Sequence, residues 1–234
     1  MSALESSLTD IPATVPRLEA GDHLSRDEFE RRYSAMPECK KAELIRGIVY
    51  LPSPVRNRRH AEPHAWLLTW LGHFMIHTPR VRVSDNGTLR LGPADEFQPD
   101  VLLRLLPEQG GKCVEDSEDY LTGPPEFNGE VSASSVSYDL HVKREIYCRA
   151  GVREYLVWRV DDREIDWHVL CGGGYELLRT GPDGLLRSEV FPGLWLDPDA
   201  LLRGDGLRLI EALQSGLAVV RSCGGGDEAP SAAG

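Results

Sequence analysis

The sequence lacks a long hydrophobic run. In a chain of 234 residues, no apolar stretch approaches the roughly 20 residues that are needed to span a bilayer. The first ten residues also lack a basic region followed by an apolar core, so they do not resemble a secretory signal. We therefore expect a protein that is neither membrane-embedded nor secreted, with a cytoplasmic location.

Zinc-binding patterns are also absent. The cysteines are odd in number and form no close pair, which excludes a CxxC site and predicts reduced thiols: Cys39, Cys113, Cys148, Cys171 and Cys223. Two histidine pairs, His60 with His64 and His73 with His77, have the spacing that could chelate a metal on a helix. Neither has the glutamate of an HExxH motif, and Pro63 interrupts the first pair, so a histidine zinc site is disfavoured.

Positive charge is scarce as well. Lys and Arg number 26 against 37 Asp and Glu, a net charge of −11, which disfavours binding to nucleic acid by charge alone. One basic cluster is present at Arg56, Arg58, Arg59 and His60. It is either a solvated loop or a rim that faces phosphate groups.

The composition is that of a globular protein, with 41% hydrophobic and 27% charged residues. We expect a single domain over residues 23–221, preceded by a flexible arm at 1–22 and followed by a disordered tail at 222–234. No internal repeat is visible.

Residue periodicity predicts a mixture of strands and helices. Helical spacing covers 61–77 and a shorter stretch from Ser137 to Gly151, while strands are predicted at 42–51, 80–91, 127–131, 153–160 and 165–179. The dipeptide Asn86-Gly87 predicts that 80–91 is a hairpin. The polar residues 107–125 predict a mobile surface loop whose acids face water.

Two acids and a lysine stand beside these predicted elements. Asp100 opens the apolar run 101–103, Glu130 lies in the strand at 127–131, and Lys143 lies on the helix that follows it. Carboxylates bind hard divalent cations, and an ammonium group can steady a water molecule or a developing negative charge. The three side chains therefore suit metal-assisted phosphodiester cleavage.

Several short motifs, in their order and spacing, resemble the Uma2 family. They are Glu43–Gly47, Pro52–Pro54 with His60, Pro99-Asp100, Glu130–Ser132, Asp139 with Lys143 and Tyr147, and Gly151–Tyr155. The resemblance runs from about residue 25 to about residue 202. Uma2 belongs to the PD-(D/E)XK, or restriction-endonuclease-like, superfamily. The resemblance implies an α/β fold with a mixed β-sheet flanked by helices, and periodicity adds an antiparallel meander in the C-terminal half.

The resemblance also implies roles for individual residues. Asp100 and Glu130 would bind Mg²⁺ or Mn²⁺, and Glu43 would complete the cluster. The superfamily places a lysine two residues after the second acid, but Ser132 stands there. Lys143 would supply the ammonium group instead. Asp139 and Tyr147 either orient Lys143 or form an ordinary ion pair and a packed aromatic, respectively.

The function expected from the resemblance is that of a Mg²⁺-dependent endonuclease acting on nucleic acid, DNA in the first instance, and assembling as a homodimer. Two alternatives stay open. One is a catalytically inactive module of the same fold for protein–protein or regulatory binding. The other is a hydrolase of small phosphodiesters, which the negative net charge favours.

Overall fold

The computed structural model describes residues 15–52, 54–133 and 136–224. Most of the predicted arm (1–14) and most of the predicted tail (225–234) lie outside these ranges. In the described residues the helices are α1 (Arg26–Ser34), α2 (Glu62–His77), α3 (Arg144–Ala150), α4 (Pro198–Arg203) and α5 (Gly206–Gly224). Two π-helical segments, Asn57–Ala61 and Tyr138–Lys143, lead directly into α2 and α3. No described helix has the length and apolar character needed to cross a membrane.

The strands, in chain order, are β1 (Glu43–Ile45), β2 (Ile48–Tyr50), β3 (Val81–Asp85), β4 (Leu89–Gly92), β5 (Asp95–Phe97), β6 (Val101–Leu105), β7 (Val114–Glu115), β8 (Leu121–Thr122), β9 (Phe127–Ser132), β10 (Glu154–Arg159), β11 (Glu164–Cys171), β12 (Gly174–Leu177), β13 (Leu186–Arg187) and β14 (Trp195–Leu196).

Most of these strands form two sheets. The first has the order β2-β1-β5-β4-β8-β7, and the second has the order β12-β11-β10-β9-β6-β3. In the second sheet β9 and β10 are parallel, whereas the other pairs are antiparallel. The predicted mixed sheet flanked by helices is confirmed, and the meander is β10-β11-β12.

Helix α2 covers one face of the second sheet. Its residues Leu67, Trp70, Leu71 and Phe74 are fully buried, as their helical spacing predicts. The Trp70 ring packs edge-on against Trp167 at 5.7 Å between ring centroids. Helices α4 and α5 contribute to the same core, while residues of α3 pack in the separate core on the opposite face.

The hairpin predicted at 80–91 is wrong. Strand β3 pairs with β6 in the second sheet, whereas β4 pairs with β5 and β8 in the first. The chain does bend at Asn86, where φ is 51°. The apolar strand β6 nevertheless offers β3 five paired positions, from Val81 opposite Leu105 to Asp85 opposite Val101. Tertiary packing therefore overrides the local hairpin signal, and the turn connects the two sheets.

The segment 107–125, predicted as a mobile surface loop, contains two short strands, and its mobility stays a prediction. The segment forms β7 and β8 of the first sheet and buries Cys113 completely. Its acids are not simply solvated, because Asp116 and Glu118 contact the buried Arg90 guanidinium at 2.7 and 3.0 Å. The segment is thus held by a charge network that sequence periodicity does not reveal.

Candidate active site

Asp100 lies immediately before β6, at the point where β6 meets the C-terminal end of β9. The pairing of Val101 with Gly129 places Asp100 opposite Glu130, on the same face of the sheet. Asp100 Oδ2 accepts a hydrogen bond from the Val131 N–H at 2.8 Å. Lys41 also reaches this edge of the sheet. Its Nζ lies 3.2 Å from Asp100 Oδ1, although the two residues are 59 positions apart in the sequence.

The Asp100 carboxylate is strongly held in its charged form. Burial alone would raise the pKa of Asp100, since the residue is 2% exposed. A hydrogen bond from His60, the charge of Lys41 and the N–H of Val131 outweigh burial and hold the pKa below its ordinary value of 3.8. His60 Nε2 lies 3.1 Å from Asp100 Oδ2.

Lys143, the last residue of the second π-helical segment, connects the other acids. Its Nζ lies 3.0 Å from Glu43 Oε2, 3.1 Å from Glu130 Oε1 and 3.6 Å from Asp139 Oδ1. Burial opposes the charge on Lys143, but these carboxylates raise its pKa well above 10.5. Lys143 is therefore a fixed positive charge at the centre of the cluster.

The pKa of Glu130 is raised, in contrast to the lowered pKa of Asp100. Burial raises the pKa of Glu130 to about 8, because the nearby carboxylates add to burial and the Lys143 charge opposes it only in part. The Tyr147 hydroxyl donates a hydrogen bond to Glu130 Oε1 at 3.2 Å. Three carboxylates thus surround one ammonium group, and this excess of negative charge adds to burial in raising the pKa of Glu130.

The structure thus brings together all four predicted site residues: Glu43, Asp100, Glu130 and Lys143. Of the predicted supporting residues, Tyr147 contacts Glu130, and Asp139 lies beside Lys143. Ser132 is fully buried at the end of β9. Both π-helical segments face this cluster, through His60 and Lys143, and such segments are frequent at functional sites.

Sequence reasoning missed Lys41 as a site residue. Lys41 stands two positions before Glu43, so both side chains point to the same face of the β1 edge. That spacing is the signal that could have identified it. Its side chain is 24% exposed, whereas that of Lys143 is 7% exposed. Lys41 is therefore the ammonium group nearer to solvent.

Sequence reasoning also missed His60 and His64, at the start of the α2 region, as residues that hold Asp100 in position. His64 Nε2 lies 2.8 Å from the Asp100 carbonyl oxygen and 3.2 Å from Asp85 Oδ1. Together with His60, it fixes the backbone and side chain of Asp100. Their spacing of four residues was the available signal, and it had suggested only a zinc site.

The acidic side chains of the site are the kind of ligand that a hard divalent cation prefers. Glu43, Asp100 and Glu130 offer carboxylate oxygens, the ligands that Mg²⁺ and Mn²⁺ prefer. These oxygens contact ammonium, imidazole, hydroxyl and backbone groups, and in the described part of the chain no three acidic, His or Cys side chains are arranged to hold a metal ion. A cation would therefore have to displace part of this pairing.

Comparison with known proteins identifies the class. The family model of Uma2, described as "Putative restriction endonuclease", matches residues 26–199. The chain therefore belongs to the Uma2 family. A crystal structure of "a putative nuclease belonging to DUF820" from Anabaena variabilis has a similar fold, with a TM-score of 0.55 and 14% sequence identity. The match covers 74% of this chain and 96% of that one. No curated protein matches this sequence.

Proposed function

We propose that this protein is a metal-dependent nuclease that hydrolyses phosphodiester bonds of nucleic acid, DNA in the first instance. One observation carries the proposal: Asp100 and Glu130 share one face at the junction of β6 and β9, with Glu43 and Lys143 against them. Family membership supports the same chemistry.

Asp100, Glu130 and Glu43 would hold Mg²⁺ or Mn²⁺. When bound, the ion supplies positive charge that relieves carboxylate repulsion and acidity for an attacking water. Restriction-endonuclease-like enzymes generally use divalent metal ions, and such an ion would offset both causes of the raised pKa of Glu130, burial first and repulsion by nearby carboxylates second.

The two lysines have separate roles in this proposal. Lys143 is enclosed by Glu43, Glu130 and Asp139 and positions the carboxylates. Lys41 stands at the solvent side of Asp100, where its ammonium group can contact the phosphate and stabilise the charge that develops on it. His60 and His64 keep Asp100 in place.

The test is metal binding followed by cleavage. A ligand that binds only the folded state stabilises it by about 2.7 kcal/mol at a hundredfold excess over Kd. Millimolar Mn²⁺ should therefore raise the thermal midpoint of the parent and of Asp199→Asn, an exposed control, but not of Asp100→Asn. Cleavage of single- and double-stranded DNA and RNA should then require the same ion. Equal midpoints with and without Mn²⁺ and no cleavage in any condition would refute the proposal.

One observation favours a second function. The Asp100 carboxylate is already paired with Lys41 and His60, as expected for a non-catalytic module in which the acids stabilise the fold. Such a module would show neither the Mn²⁺ effect nor turnover.

A hydrolase of small phosphodiesters is the other alternative, and the negative net charge favours it. It would cleave bis(p-nitrophenyl) phosphate but no oligonucleotide.

The homodimer and the cytoplasmic location stay predictions. Sedimentation can test the first, and cell fractionation can test the second.

A further inference from the structure

We propose that a groove beside the candidate active site, on the opposite face of the second sheet, binds an unpaired strand of the nucleic-acid substrate. The inference rests on the proposed function and specifies the form of its substrate. The groove has a volume of about 210 Å³. Its floor includes Trp66, Trp158 and Val160, and three arginines line it: Arg58, Arg163 and Arg203.

The arginines leave their guanidinium groups available. Within the residues that the structure describes, Arg58 and Arg163 form no ion pair or side-chain hydrogen bond, and Arg203 lies 3.9 Å from Asp199. All three are exposed. The acidic side chain in the groove, Glu62, accepts a hydrogen bond from Asn57 Nδ2 at 2.7 Å. In a chain of net charge −11, the groove is thus a local basic site that suits phosphate groups.

The aromatic floor adds a surface for a base. Trp66 is half-buried, and its ring lies so close to Gly206 that a Cβ atom there would come within 2.6 Å of the ring. The ring is therefore held in place by the start of α5. Stacking of a base on a fixed aromatic ring contributes about 1–3 kcal/mol and tolerates any base. Bases inside a duplex are already stacked on each other, so the groove suits an unpaired strand.

The first π-helical segment links the groove to the candidate active site. His60 contacts Asp100, while Arg58, two residues earlier and hence on another side of the segment, lines the groove. Arg59 between them donates to Asp161 at 3.0 Å from Nε to Oδ1, and this contact holds the segment against the turn that carries Arg163. The same short segment therefore carries one residue that contacts Asp100 and one that lines the groove.

The experiment measures binding without cleavage. Full-length Asp100→Asn protein in EDTA is titrated into a fluorescent 12-nucleotide DNA strand, a blunt duplex and a duplex with a single-stranded overhang. Arg58→Glu/Arg163→Glu is compared with Arg80→Glu/Arg179→Glu, which makes the same charge change at exposed arginines outside the groove. Trp66→Leu removes the stacking surface independently.

We expect the groove pair to weaken binding of the single strand and the overhang at least tenfold, the control pair to stay within twofold, and Trp66→Leu to weaken both about tenfold. The affinity for the blunt duplex should change equally in the groove pair and in the control pair. If both pairs weaken the single strand equally, the groove proposal is wrong, even if metal-dependent cleavage is observed. Equal affinity for a mononucleotide or for polyglutamate would overturn it as well. Loss of strand binding in the groove pair, together with no cleavage by the parent protein in the Mn²⁺ assay described above, would support the groove and count against the nuclease.

Discussion

Lys143 Nζ lies 3.0 Å from Glu43 Oε2 and 3.1 Å from Glu130 Oε1, so one buried ammonium group joins the two main sheets. Glu43 belongs to β1 of the first sheet and Glu130 to β9 of the second. The side chains of all three residues are less than 10% exposed. Removing the ammonium group would leave a cluster of buried carboxylates without its central counter-charge.

We therefore predict that Lys143→Met, which keeps the side-chain volume, lowers the free energy of unfolding by about 3–5 kcal/mol at neutral pH. Urea unfolding measures the change. Lys40→Met is the matched control, since Lys40 is exposed and, among the residues that the structure describes, bonds only to the Pro37 carbonyl oxygen. The control should change stability by less than about 0.5 kcal/mol. Equal effects of the two substitutions would mean that Lys143 does not hold the sheets together.

Lys41 should affect the rate of cleavage as well as stability. Because its ammonium group is nearer to solvent and is placed to contact phosphate, Lys41→Met should lower the cleavage rate by roughly 10²-fold, as expected for loss of one stabilising donor. Some stability should be lost too, because Lys41 is a counter-charge of the buried Asp100 carboxylate, and Lys41→Arg should restore part of both. The measurement is single-turnover cleavage of DNA with Mn²⁺. A rate unchanged in Lys41→Met would assign the role to another group.

The candidate site was more predictable from sequence than the arrangement of the sheets. Glu43, Asp100, Glu130 and Lys143 lie in short motifs that resemble those of Uma2, and that resemblance, more than periodicity, identified them as one site. Lys41 and His60 carry only weak local signals, their spacing to Glu43 and His64, because their contacts with Asp100 form only once distant segments pack together. The same limit explains the wrong hairpin at 80–91: its turn was local, but the better partner for β3 was β6.

Close packing around Gly129 in β9 leaves no room for a side chain. A Cβ atom at Gly129 would lie 2.7 Å from Val101 Cγ2 and 3.3 Å from the Phe127 ring. Gly129→Ala should therefore lower the free energy of unfolding by about 1–3 kcal/mol through overpacking. Gly72→Ala is a control of opposite sign, since Gly72 lies in α2 with no atom within 4 Å of its Cβ position. It should stabilise the protein by about 0.5–1 kcal/mol. Thermal or urea unfolding measures both, and a stabilised Gly129→Ala would contradict the close packing.

Asn128 is a buried polar group without compensation. Its side-chain oxygen and nitrogen are buried and have no hydrogen-bond partner in the described residues. Asn128→Leu, similar in size, should therefore raise the free energy of unfolding by about 1–3 kcal/mol. Asn128 precedes Glu130 by two residues on the same face of β9, so cleavage assays should accompany the urea titration. Lower stability in Asn128→Leu would show that the amide makes a favourable interaction.

Glu154 should make stability depend on pH. Burial raises its pKa to about 7 against hydrogen bonds from Ser188 and from the backbone N–H groups of Glu189 and Val190, which favour the charged form. Between the ordinary pKa of 4.5 and about 7, the folded state keeps the proton and the unfolded state loses it. The Glu154 contribution is thus fully present below pH 4.5 and is lost as the pH rises through 7, by roughly 3 kcal/mol.

Glu154→Gln cannot ionise and should remove this part of the pH dependence. Urea unfolding of the parent and the variant across pH 4.5–8 gives a difference that isolates Glu154, because every other titrating group is common to both. Relative to the parent, the variant should gain stability steadily between pH 4.5 and 7. Glu176→Gln, an exposed residue of β12 that does not perturb Glu154, should run parallel to the parent over the same range. A constant difference between Glu154→Gln and the parent would mean that Glu154 is ionised in the folded protein throughout, with its hydrogen bonds outweighing burial.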